Sequence, residues 1–86
     1  MATTLVQLSS VNWKSIGPGP LFLQTQGTEW PVYWCASDTD PGAVVREDIA
    51  DTPQHTLGGA GRTADINIII EQNIWVRGRG FAIVTK

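Results

Sequence analysis

Residues 73–85 alternate with a period of two on both sides of Gly78-Arg79-Gly80. Ile74 and Val76 fall on one side of the first segment, Trp75 and Arg77 on the other. In the second segment, Phe81, Ile83 and Thr85 share one side, and Ala82 and Val84 the other. Side chains of a strand alternate between two faces, whereas a helix brings residues three and four apart together. A two-residue period in β-branched and aromatic residues, broken by a short loop with two glycines, predicts a β-hairpin. Ile74, Val76, Phe81 and Ile83 are expected in its sheet core, with Trp75 as a packing anchor.

The rest of the chain is punctuated in the same manner. Residues 3–8 make a first strand of mixed polarity. Residues 9–14 lead into Gly17-Pro18-Gly19-Pro20, where Pro18-Gly19 suits the centre of a type II turn. Residues 21–26 follow as a strand with Leu21, Leu23 and Thr25 on one face. Gly27-Thr28-Glu29 turns the chain into a strand at Val32-Tyr33-Trp34-Cys35-Ala36, opened by Pro31, a permitted strand position. Residues 37–51 form an acidic loop around Pro41-Gly42, with a short strand at 43–46. Another short strand is expected at 54–57, a turn at Gly58-Gly59-Ala60-Gly61, and a core strand at 64–70. No amphipathic helical window, repeat or linker stands out. Short strands separated by turn signals predict an all-β fold, a small antiparallel β-sandwich or jelly-roll-like barrel, as one domain over residues 1–86.

Composition restricts how such a domain can be stabilised. An 86-residue chain is near the size where a single core is marginal, and small scaffolds usually carry a staple. A lone cysteine, Cys35, excludes an internal disulfide, and one His with one Cys excludes a Cys/His metal cluster. Self-association is the staple that remains. Charged residues are 16% of the chain, below the usual level of about 25%, as expected where part of the surface is covered by a partner. A net charge of −2 supplies no basic field for nucleic acid. The apolar run 66–70 is far too short to span a bilayer. The N-terminus lacks the basic and long apolar regions of a secretion signal. Neither nucleic acid nor membrane is therefore an expected partner.

The large aromatics Trp13, Trp30, Trp34, Trp75, Tyr33 and Phe81 are anchors for the core or for subunit contacts. Trp34 lies in an apolar strand and is expected to be buried. Trp30, beside Pro31 at a strand entry, is the better candidate for an exposed sugar-stacking platform. Arg77 and Arg79 flank Gly78 and are expected as solvated turn charges or at the rim of a subunit contact, where arginine is enriched. Asp38, Asp40 and Asp48 are hard oxygen ligands, but their spacing does not match a calcium-binding loop. His55 and Cys35 have no neighbouring motif that would make them a catalytic pair. No catalytic residue, cofactor or metal site is expected.

Two stretches resemble a known group. Trp13-Lys14-Ser15-Ile16-Gly17-Pro18-Gly19-Pro20-Leu21-Phe22-Leu23-Gln24 is similar to the opening of small tailed-bacteriophage virion proteins. Ile74-Trp75-Val76-Arg77-Gly78-Arg79-Gly80-Phe81-Ala82-Ile83-Val84-Thr85 resembles their C-terminal segment. Val32-Tyr33-Trp34-Cys35-Ala36-Ser37 with Asp40-Pro41 is similar to their central strand and loop. The acidic segment 38–51 is the least similar. The resemblance implies a non-enzymatic structural component of the virion, made in the host cytoplasm. It implies a homo-oligomer, a trimer first, bound to a major capsid or tail protein; the short, self-contained chain slightly favours decoration or head fibre over the tail. From the aromatics alone, a glycan- or receptor-binding β-module is the alternative.

Overall fold

The computed structural model describes residues 2–25, 29–42, 44–46, 49–50 and 54–86. Its elements are β1 (Thr3–Gln7), β2 (Lys14–Pro18), β3 (Leu21–Thr25), β4 (Val32–Ala36), β5 (Val44–Arg46), β6 (Ile49–Ala50), β7 (His55–Leu57), β8 (Asp65–Ile68), β9 (Asn73–Arg77) and β10 (Phe81–Thr85). Two four-stranded sheets of order β1-β10-β3-β8 and β2-β9-β4-β7 pack into a β-sandwich, with β5-β6 as a separate two-stranded ribbon. Every pairing is antiparallel.

The core lies between the sheets and follows the pleat. Leu21, Leu23 and Thr25 of β3 are buried, while Phe22 and Gln24 between them are half-buried. Val32 and Trp34 of β4 meet Ile74 and Val76 of β9, and Val6, Leu8, Ile68, Ala82 and Val84 complete the cluster. Full burial of one such aliphatic side chain contributes about 1.5–3 kcal/mol.

The segment 73–85 folds differently from the expected hairpin. Gly78-Arg79-Gly80 does turn the chain, but β9 belongs to the second sheet and β10 to the first. The turn therefore crosses the core and joins no ladder. It is held by the Gly78 N–H donating to Ser9 O at 3.0 Å and the Leu8 N–H donating to Gly80 O at 2.8 Å. The faces of β10 are also exchanged relative to expectation. Ala82 and Val84 point inward, Ile83 is half-buried on the outer face, and Phe81 is 43% exposed. Both faces of this strand are apolar, so alternation alone does not select one. With Trp34, Leu8 and Leu23 already filling the interior, the smaller pair fits the remaining space.

The first corner is revised in the same way. Pro18 ends β2, a strand not anticipated at 14–18, and a bulge between Ser15 and Gly17 places the positive φ of 86° at Gly17. The bend falls on Gly19-Pro20, joined by a cis peptide, and Gly19 does not take the positive φ of a type II turn. A Cβ on Gly19 would run into the carbonyl oxygens of Ile68 and Ile70. The strand expected at 64–70 stops at Ile68, leaving Ile69 81% and Ile70 41% exposed. The turn at 58–61 is present, with positive φ at Gly58, Gly59, Ala60 and Gly61. Gly27 and Thr28 of the expected 27–29 turn, and Glu47, Asp48 and Asp51 of the acidic loop, lie outside the described residues.

The inward placement of Ala82 is open to direct measurement. Ala82→Leu is expected to lower unfolding free energy by about 1–3 kcal/mol through overpacking. Leu23→Ala should cost about 2–5 kcal/mol, and Gln24→Ala, on the outer face, within about 0.5 kcal/mol. Chemical denaturation of the three variants checks this. A neutral Ala82→Leu would mean that β10 faces the other way.

Candidate functional site

Antiparallel register places Arg77 of β9 opposite Tyr33 of β4. The pairing of Lys14 with Val76 brings Trp13 to the other flank of the same row. These side chains stand on the outer side of the second sheet. Arg77 is nevertheless fully buried there, the largest side chain in the described structure with no exposure. Its guanidinium carbon lies 4.4 Å from the Tyr33 ring centroid and 5.2 Å from that of Trp13. Nη1 donates to Ser10 O at 2.9 Å, and Nη2 donates to Gln54 Oε1 at 2.7 Å. The expectation of a solvated or rim arginine is therefore corrected. Arg77 is an internal tie, and a planar cation between two aromatic faces suits that position. Sequence spacing could not show this, because residues 10, 13, 33 and 54 converge only through the fold.

One row along, Trp75 is half-buried and its indole Nε1 donates to Ser37 O at 2.9 Å. It anchors the loop after β4 and does not enter the sandwich core. Beside it in register, Cys35 is buried. Burial pushes the Cys35 thiol up, the positive Arg77 opposes this, and Asp40 adds to the rise. Trp34 is buried as expected and stacks on His55, with ring centroids 4.4 Å apart. His55 is the register partner of Trp34. Cys35 is the next residue on β4 and points to the opposite face. The fold therefore does not bring Cys35 and His55 together as a pair. Among the described residues no group of three His, Cys, Asp or Glu side chains could hold a metal. Asp40 Oδ1 accepts from the Gly42 N–H at 3.0 Å, closing a turn, and Asp48 is outside the described residues.

At one end of the sandwich, Trp30 is 47% exposed, as expected for this residue. The exposed Arg79 places its guanidinium 4.7 Å from the Trp30 ring centroid. The Ala60 N–H donates to Glu29 O at 2.7 Å, so the 58–61 turn supports the segment that carries Trp30. Trp30 and Arg79, of the two strand-entry and turn candidates, are thus brought together at the surface.

The outer side of the first sheet has a different character. Phe81 stands here, against the expectation that it belongs to the core, because β10 turns its other face inward. Leu5 of β1 is 59% exposed and pairs with Ile83. Phe22 of β3 pairs with Thr85. Leu5 and Phe22 were not among the candidates, since a single Leu in a mixed strand and a Phe between two inward leucines carry no distinguishing spacing.

Arg77→Ala is expected to destabilise the chain by at least about 3 kcal/mol, given two hydrogen bonds from a charged donor at about 1.5–3 kcal/mol each. Arg77→Met keeps the volume but leaves Ser10 O and Gln54 Oε1 without those donors, and should fall between the variant and the parent. Denaturation curves for both check the internal tie. Cys35 should react with a thiol reagent at mildly alkaline pH far more slowly in the folded chain than in denaturant.

No known protein family matches the chain, and no curated protein or solved structure does.

Proposed function

We propose that this chain is a non-enzymatic structural component of a tailed-bacteriophage particle, made in the host cytoplasm. In this role it forms a symmetric homo-oligomer, three copies being the first candidate. It attaches by surface complementarity to a major capsid or tail protein, with the capsid favoured as decoration or head fibre. The observation that carries this is the outer face of the first sheet, where Leu5 and Phe81 stand 59% and 43% exposed. Exposed apolar side chains grouped on one broad face mark a protein–protein contact. The two stretches that resemble virion proteins also lie together in space. Residues 13–24 supply β2 and most of β3, residues 74–85 supply most of β9 and all of β10, and β2 pairs with β9 as β3 pairs with β10. Both stretches cross from the second sheet to the first, so they form one paired corner of the sandwich.

The test is to locate the chain in purified particles from its source, by mass spectrometry of the virions and by imaging of a tagged copy. The expected result is density at symmetry-related positions on the head. Its absence from intact particles overturns the proposal.

A second function has its own observation in the exposed Trp30 with Arg79 over its ring. Base and sugar rings stack on such indoles, and an adjoining cation favours acidic glycans. On a glycan array, binding lost in Trp30→Ala would support this reading. Binding unchanged in that variant would remove Trp30 as the platform.

A further inference from the structure

We infer that the outer face of the first sheet is where this chain packs against further copies of itself. This rests on the oligomeric part of the function proposed above and names the surface that performs it. The two outer sides of the sandwich differ in how they are covered. On the second sheet, Trp13, Cys35 and Arg77 are 7%, 3% and 0% exposed, and Ser10 and Gln54 close over the arginine. The chain covers the centre of that side itself, around Arg77. On the first sheet, Leu5 and Phe81 face solvent, with Ile83 and Phe22 half-buried alongside.

Charge selects the occupant. Along β1, β10, β3 and β8, the outward positions carry one ionisable side chain, Asp65, on the edge strand β8. Lys86, just past β10, turns its ammonium toward Gly17 of the second sheet. Among the described residues, a strongly charged partner would find only Asp65 at the edge and the groove-lining Lys86 to complement on this face. A second copy meets a face as sparsely charged as its own, with Asp65 confined to the edge strand, so little like-charge repulsion opposes the contact. The molecule is a slab of 35 × 31 × 17 Å, and a stable interface takes about 800 Å² from each partner. A groove of about 570 Å³ beside Phe22 and the exposed Ile69 extends the apolar surface past the strand ends. Around a two-fold axis the face meets itself, and around a three-fold axis its halves meet those of two neighbours.

The experiment measures mass by light scattering and sedimentation over a wide concentration range, for the parent chain and for Leu5→Glu and Phe81→Glu. Both substitutions lie outside the core, and circular dichroism with thermal unfolding verifies that each variant folds. The expected result is a discrete assembly of the parent and a shift toward monomer in both variants, with association weakened at least about tenfold, or 1.4 kcal/mol. If either variant fails to fold, Gln24→Arg on the same face takes its place. A parent that stays monomeric at millimolar concentration overturns the proposal. So does an assembly that the variants leave intact, which would put the contact elsewhere. A monomer that binds only a different virion protein through this face also overturns it, while leaving the structural role in place. Absence from particles with self-association intact would sink that role and spare this face.

Discussion

The burial of one arginine sets the asymmetry of the whole domain. Arg77 projects from a central strand onto the outer side of the second sheet, where an ordinary sandwich would leave it in water. Tyr33 and Trp13 take its two flanks, while Ser10 O and Gln54 Oε1 accept its protons. Holding a full charge away from solvent is costly unless its donors are satisfied. Ser10, before β2, and Gln54, before β7, therefore close over it. That closure covers the centre of one broad side of the molecule, around the arginine. Among the described residues no comparable cluster covers the outer side of the first sheet, where Leu5 and Phe81 stay exposed.

The contrast also separates the roles of aromatic residues in a small domain. Trp34 supplies interior volume and stacks on His55 at an edge. Trp13 and Tyr33 hold a cation, and Trp75 fastens a loop through its indole N–H. Trp30 alone of the four tryptophans stands largely exposed, under Arg79. With little charge in the chain, π faces and backbone carbonyls do much of the work that surface ion pairs do elsewhere.

Much of the architecture was legible from residue order. The inward set of β3, the burial of Trp34, the exposure of Trp30 and the all-β sandwich follow from alternation and turn residues. What was not legible has specific causes. Apolar side chains on both faces of β10 leave its orientation undetermined, so alternation alone does not place Phe81 outside the core. Gly78-Arg79-Gly80 has the composition of a hairpin turn, and composition does not distinguish turning within a sheet from crossing between sheets. The apolar run 66–70 suggested a longer strand than β8, yet Ile69 lies beyond its end in solvent. Arg77 depends on groups 23 or more residues earlier in the chain, which no local pattern encodes.

The order of strands has a consequence for how the domain comes into being. β1 has β10 as its ladder partner, and β2 has β9. The earliest strands to be synthesised therefore wait for the two most C-terminal ones. Until residue 73 emerges from the ribosome, the main sheets can form just the β3-β8 and β4-β7 pairs, and β1 and β2 stay unzipped. Loop closure over such distances must precede any reward from contact, which slows folding. A nascent chain of this topology carries open sheet edges for most of its synthesis. It is completed from the inside, when β9 and β10 slot between strands made long before them.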